Sequence, residues 1–397
     1  MSGVFVTDGK WHKTLAVVRS LGRHGIKVSC GESTRLACAL FSNYCNRKIR
    51  YPSVKSEPEK FIEFLIEELE KNKHSVLFPM EEDTINLILN NINVFSRKIS
   101  IPVVNKNTLS IAINKGNLMK FASKHGIPCP KTYSIDTLSE LNIIKNKIKF
   151  PAVIKPKESS GSKGVVYIDN ELELEREYKR VHSVFPFPLI QERIPSGGEA
   201  VGVSAIFDRE SKLVASFTHR RIREYPVTGG ASTLCESCLR PSVEDIAIEL
   251  LKKLNWFGVA MVEFKVDPRD NIPYLMEINP RFWGSLQLAI YSGIDFPYLL
   301  YKVARNEETP EIKNYKIGAR FRWILPGDIL NFISNPNRLK LKPGFFNFFP
   351  KDTTHAIFSW DDPLPVIGTM LTGLTFFYDK NMRKHLFLKL GILTNNT

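Results

Sequence analysis

The sequence predicts an α/β protein in three parts: an open parallel α/β sheet over residues 1–108, a second unit of hairpins and helices (α+β) over 109–306, and a basic, aromatic region over 307–397. Three observations lead there. Short apolar strands alternate with amphipathic helices at the start of the chain. A lysine-bearing strand runs into a Ser/Gly loop in the middle. A long hairpin then carries two glutamates that face each other.

The first part reads as β-α-β. Val4-Phe5-Val6 is a short strand, Lys13 to Arg23 carries apolar residues at helical spacing, Gly25 is a stop signal, and Ile26-Lys27-Val28 is a second strand. Val76-Leu77-Phe78 followed by a helix from Thr84 to Asn90 repeats the unit. Such alternation argues for parallel strands in an open sheet. The turn Thr7-Asp8-Gly9-Lys10 has no GxGxxG, so a dinucleotide fingerprint is absent.

The second part opens near Leu109. Lys115 to Lys124 is helical and ends at Gly126, Pro128 and Pro130. Ala152 to Pro156 enters Glu158-Ser159-Ser160-Gly161-Ser162-Lys163-Gly164 and leaves through Val165 to Ile168, a hairpin with a Gly/Ser-rich tip. A charged helix (Glu171 to Val181) leads to the strand Leu189 to Glu192 and a turn at Ser196 to Glu199. Val201 to Phe207 and Leu213 to Thr218 read as an antiparallel pair.

The hairpin of Val259 to Phe264 and Tyr274 to Arg281 carries the clearest chemistry. Folded about Asp270, it sets Glu263 opposite Glu277, and Asn279 shares a face with Glu277. Two carboxylates directly across a sheet repel each other, and a bound cation removes that conflict. Mg²⁺ takes oxygen ligands and uses one or two carboxylates together with substrate phosphates. Glu263, Glu277 and Asn279 are therefore read as a metal–phosphate site, with Arg281 beside it as an anion partner. Lys155 sits within an otherwise apolar strand, where an unpaired ammonium is costly. The Ser/Gly loop after it can offer N–H groups to phosphate oxygens. No Gly-Lys-Ser/Thr opens a helix there, so this is not a Walker A loop.

Composition narrows the classes. With 43% hydrophobic and 24% charged residues, the 397-residue chain has the make-up of a soluble globular protein of two or three domains. The N-terminus lacks a basic n-region and a long apolar h-region, and the apolar run from Leu364 to Tyr378 falls short of the roughly 20 residues a membrane span needs. A cytoplasmic protein is expected. Six scattered cysteines do not suggest a disulfide framework, and Cys235-Glu236-Ser237-Cys238 lacks a second ligand pair for zinc. The charge of +14 points to an anionic partner. No helix-turn-helix, zinc-finger or RNA-recognition signature accompanies it, so no specific nucleic acid is expected. Gly-x-Ser-x-Gly and His-Glu-x-x-His are also missing.

Taken in order, Lys115 before a helix ending in Gly-Ile-Pro, Lys155 before a Ser/Gly loop, Gln191-Glu192-Arg193-Ile194 before Gly198-Glu199, Glu263, and Glu277-Ile278-Asn279-Pro280-Arg281 resemble the ATP-grasp superfamily over roughly Leu109 to Arg305. Asn279 to Ser285 is similar to a motif of the predicted carboxylate–amine ligase group, and the first part looks like a pre-ATP-grasp domain. The resemblance implies that Lys115 and Lys155 hold ATP phosphates and that Ser160, Gly161, Ser162 and Gly164 belong to a lid over them. It implies an adenine edge of Gln191, Glu192, Arg193 and Ile194, with Glu192 and Ile194 acting through their backbones, and a ribose contact from Glu199. Glu263, Glu277 and Asn279 would ligate two Mg²⁺ ions, with Mn²⁺ as the alternative metal. Arg281 and Lys155 would stabilise the transferred phosphoryl group. His219 to Arg223 and Thr228 to Ser232 occupy the place of a substrate-contacting loop; Arg221 is the candidate there, and alternation groups it with Arg223.

The chemistry implied is amide formation through an acyl phosphate, with ATP giving ADP and phosphate. The alternatives are carboxylate–thiol ligation, a small-molecule kinase, or a non-catalytic nucleotide-binding protein. Partners would be a small carboxylate and a small amine, with a homodimer as a further option. The substrate pocket would combine Trp283, the 220s loop and the N-terminal domain. From Lys313 to Thr397 there are 12 Lys and Arg against 5 Asp and Glu. There, Phe345 to Phe349 and Lys380 to Leu393 could lie on an anionic membrane. The preferred alternative is that these aromatics pack against the catalytic domain.

Overall fold

The computed structural model describes residues 3–159, 163–227 and 229–378. Strands Arg47–Arg50, Val28–Glu32, Val4–Val6 and Val76–Phe78, in that order, form a four-stranded parallel sheet. The expected second strand at residues 26–28 instead starts at Val28. Ile26 donates its N–H to the Leu21 carbonyl and caps helix His12–Arg23, so the chain is free to extend only beyond it.

A second four-stranded sheet orders Thr132–Tyr133, Leu189–Glu192, Ala152–Lys155 and Val166–Ile168. Helix Lys115–Lys124 starts at Asn114, whose side chain accepts from the N–H groups of Gly116 and Asn117. The seven-stranded central sheet runs Pro273–Asn279, Gly258–Val266, Ala200–Phe207, Leu213–Tyr225, Ala231–Ser237, Arg320–Arg322, Thr353–His355. Phe217 and Met261 of this sheet share one apolar core with Val4, Leu15 and Phe78 of the N-terminal sheet. That shared burial fixes the two sheets against each other.

Two expectations are corrected here. Residues 219–223 form no loop; they lie within strand Leu213–Tyr225 and pair with Ala231–Ser237. Their charges disguise the strand because their carboxylate partners come largely from other segments. Trp283 is fully buried, edge-on to Phe296 at 5.0 Å, so it packs the core instead of facing a substrate.

The C-terminal region is an integral part of the fold. Strand Arg320–Arg322 extends the central sheet beside Ala231–Ser237. Asp362 is completely buried and accepts from Arg19 Nε at 2.8 Å, from the Ser42 hydroxyl and from the Asn43 N–H, which ties this region to the first sheet. The aromatic run divides. Phe345 and Phe348 lie beneath the Arg322 guanidinium, while Phe346 and Phe349 face solvent. Lys380 to Leu393 falls outside the described residues. Among the described residues no helix is long and apolar enough to cross a membrane.

Candidate active site

Strands Gly258–Val266 and Pro273–Asn279 pair in the register read from the sequence, with Glu263 opposite Glu277. A register shift after Glu263 bends the strand there. Asn279 joins the pair, its Nδ2 donating to Glu263 Oε1 at 3.2 Å. Their repulsion is relieved by cations from two other elements. Arg221 Nη2 reaches Glu263 Oε2 at 2.9 Å, and Lys115 Nζ lies 3.3 Å from Glu277 Oε2. Burial pushes the Glu263 carboxyl above its ordinary value, against the pull of Arg221. At Glu277 burial acts the same way, but Lys115, Lys155 and Arg221 outweigh it and hold this carboxyl below its usual range.

Lys155 closes strand Ala152–Lys155 and is buried. Among the described residues no carboxylate lies within ion-pair distance of it. Burial, then repulsion from Lys115, brings its ammonium down to about 8, with Glu277 pulling the other way. Two carboxylates, each already paired with a cation, together with a buried ammonium that has no paired anion leave the site with one positive charge to spare, which a phosphate-bearing ligand would meet. Lys115 Nζ also donates to the Ser159 carbonyl at 2.6 Å, which links the helix to the start of the Ser/Gly loop.

Arg221 and Arg223 do not act together, although strict alternation groups them. The ladder shifts between them. Arg221 stays with Glu263, Glu224 and the Gly230 carbonyl, while Arg223 forms a two-pronged buried pair with Asp328, both contacts at 2.8 Å. Arg223 is thereby structural. Arg220 engages Glu236 and Glu199.

The residues expected at an adenine edge are mixed. Gln191 is buried and donates to the Thr132 hydroxyl at 2.7 Å. The Glu192 N–H is already committed to the Lys131 carbonyl at 2.9 Å, so it cannot donate to a base. Arg193 stacks over Tyr167 with 4.7 Å to the ring centre, and the Ile194 carbonyl accepts from Lys265 Nζ. Both oxygens of Glu199 are held by Arg240, at 2.8 and 2.7 Å, and Arg220 adds a third bond. A ribose contact through Glu199 would have to displace an arginine. Gly164 adopts φ 74°, and a Cβ there would meet Phe185 and Pro156. Ser160, Gly161, Ser162 and Thr228 lie outside the described residues.

Arg281, two residues after Asn279, donates to Glu82 at 3.1 Å. Beside it, buried Lys13 pairs with Glu81. Burial, then repulsion from Arg281, lowers Lys13 to about 8. Lys13, Glu81 and Glu82 escaped the sequence reading. The signal that could have found them is the acidic run directly after strand Val76–Phe78, since ligands bind outside the carboxyl ends of parallel strands. Cys235 and Cys238 are buried thiols, raised by burial to about 12 and about 11.

Two carboxylates and one amide make a hard-oxygen donor set once the Asn279 amide turns its oxygen inward. Among the described residues no group of three or more His, Cys, Asp or Glu could hold a metal by itself. The set thus fits Mg²⁺, which completes its shell with phosphates and water, better than a metal caged by protein alone.

Residues 112–285 match the family described as the ATP-grasp domain. The carbamoyl phosphate synthase large chain of Pyrococcus furiosus is 29% identical over 177 residues, which are 43% of this chain and 16% of that protein. The chain therefore spans only a small part of that relative. Among solved structures, a biotin carboxylase–beta-gamma-ATP complex from Campylobacter jejuni is similar at TM-score 0.68 and 18% identity, covering 81% of this chain and 74% of that one. An L-amino acid ligase from Bacillus licheniformis is similar at TM-score 0.58 and 16% identity, covering 77% and 74%. At these identities the structures establish a shared fold.

Proposed function

Given an ATP-grasp domain at residues 112–285, we propose that this protein is an ATP-dependent carboxylate–amine ligase that forms an amide through an acyl phosphate. The observation that carries the reading is the pairing of Glu263 with Glu277 beneath Lys115, Lys155 and Arg221. The carbon–nitrogen ligase chemistry is supported by the L-amino acid ligase that shares the fold.

A carboxylate is a poor acyl donor because its leaving group would be oxide. Moving the γ-phosphoryl group onto it creates a good one, and an amine then displaces phosphate. Phosphoryl transfer asks of protein mainly positioning and charge neutralisation. Lys155 and Lys115 meet the phosphates, Lys115 leaving Glu277 as it does so. Glu263, Glu277 and Asn279 would hold two Mg²⁺ ions, which neutralise phosphate charge when bound. Arg281, which pairs with Glu82, and Arg221, which pairs with Glu263 and Glu224, would each exchange a glutamate for the phosphoryl group or substrate carboxylate. The partners are then a small carboxylate and a small amine, in the cytoplasm; a homodimer is part of the same proposal and is read by light scattering.

The test is a screen of carboxylates with ATP, Mg²⁺ and hydroxylamine. The ligase reading expects ADP and a hydroxamate from at least one acid. ADP release that requires a thiol would favour thioester formation, and phosphorylation of a hydroxyl would favour a kinase. Tight ATP binding without any turnover would leave a nucleotide-binding protein and refute catalysis.

A further inference from the structure

The C-terminal region presents a surface that the ligase chemistry does not use. Its described acidic residues beyond Lys313 are all paired: Asp328 with Arg223 and Arg322, Asp352 with Lys316, Asp361 with Arg23, and Asp362 with Arg19. Arg338, Lys340, Lys342 and Lys351, by contrast, have no carboxylate within ion-pair distance among the described residues. The uncompensated positive charge is therefore concentrated in one stretch.

The same stretch also carries strongly exposed apolar side chains. Phe346 and Phe349 are each 69% exposed and Leu339 82%. Ring contacts join Phe332, Phe346 and Phe348 into one cluster, and Phe349, Phe358 and Trp360 into a neighbouring one. Trp360 itself is 86% exposed. Four residues later Leu364 opens the approach to helix Pro365–Tyr378, which contains no charged residue and exposes Ile367 and Met370. Each ring cluster is a joined apolar patch with strongly exposed members, and surface of this kind marks an interaction site.

We propose that this surface docks the protein peripherally on an anionic lipid bilayer. Arg338, Lys340 and Lys351 would sit among lipid headgroups, whereas Lys342 lines the cleft it shares with Arg220 and Arg221; Phe346, Phe349, Trp360 and the aliphatic side chains would enter the boundary with the acyl chains. Charge complementarity selects an anionic surface. The aliphatic contribution of Leu339, Ile367 and Met370 favours lipid over nucleic acid, which would use the rings and the charges but not these. Among the described residues no helix is long and apolar enough to cross a membrane, and the contact proposed is with one leaflet.

The experiment is co-sedimentation of the full chain with phosphatidylcholine vesicles containing or lacking phosphatidylglycerol, beside a single-stranded oligonucleotide. Binding should require phosphatidylglycerol, fall as salt rises, and weaken by roughly fivefold for each of Lys340→Gln and Lys351→Gln. Phe346→Ser with Phe349→Ser should cost at least about tenfold. Trp360→Ser alone, at a side chain with few packing contacts to lose, serves if the double variant misfolds. ATP binding should be unchanged in every variant, so this outcome is separable from that of the ligase assay. A full chain that stays in the supernatant at low salt would overturn the proposal. So would unaltered binding by the serine variants, capture by the oligonucleotide instead, or a homodimer that the serine variants dissociate.

Discussion

Replacing Glu277 by Gln separates a metal ligand from a structural ion pair, because the two roles predict opposite signs. The Coulomb attraction of Lys115 and Glu277 at 3.3 Å is about 5 kcal/mol at an effective dielectric of ~20. Glu277 is 31% exposed and both ions give up water, so the net contribution to stability is about 1–2 kcal/mol. The variant without nucleotide should lose about that much and remain folded. In the wild-type protein, metal-free ATP must approach two carboxylates, and Mg²⁺ removes the conflict. The amide abolishes one negative charge, frees Lys115 for phosphate, and binds a hard cation poorly. Metal-free ATP should then bind about tenfold more tightly than to wild type, while Mg²⁺ brings little further gain. Thermal unfolding reads both effects. Wild type at a hundredfold excess of Mg-ATP over Kd gains about 2.7 kcal/mol, a shift of about 3 °C for a chain of this size. A Glu277→Gln protein whose Mg²⁺-dependent shift equals that of wild type would refute the metal assignment. Weaker binding of metal-free ATP would show that Glu277 acts only by orienting Lys115.

Two further outcomes are expected. Lys155, lowered to about 8 by burial and by Lys115, must be charged to hold phosphate, so affinity for ATP should decline above pH 8 and binding near that pH should take up protons, as calorimetry in buffers of different ionisation enthalpy would detect; a flat affinity up to pH 9.5 would refute this. The linkage runs the other way for stability: the unfolded lysine binds its proton more tightly, so this group's destabilising effect is full below pH 8 and is relieved as pH rises toward its ordinary value near 10.5. Asp362→Ala strands the buried Arg19 guanidinium and should cost about 3–5 kcal/mol in denaturant unfolding; a loss below about 1 kcal/mol would mean that water reaches Arg19.

The sequence by itself determined the hairpin. Two-residue alternation and a short polar turn fix which side chains oppose each other, so Glu263 and Glu277 could be paired without coordinates. Helix Lys115–Lys124 and strand Ala152–Lys155 were legible for the same reason, since both depend on local periodicity and stop signals. What needed the tertiary structure was every choice of partner made at long range. Arg281 meets Glu82 across 199 positions, and Arg19 meets Asp362 across 343. A shift in the strand ladder separates Arg221 from Arg223, and the aromatic Trp283 goes to the core although its sequence neighbours form the site. Charges in a strand disguise it until the opposing charges are known, as at residues 219–223. Periodicity is a property of neighbours along the chain. Ion pairing and burial depend on which strands and helices lie side by side, and packing of the whole chain decides that.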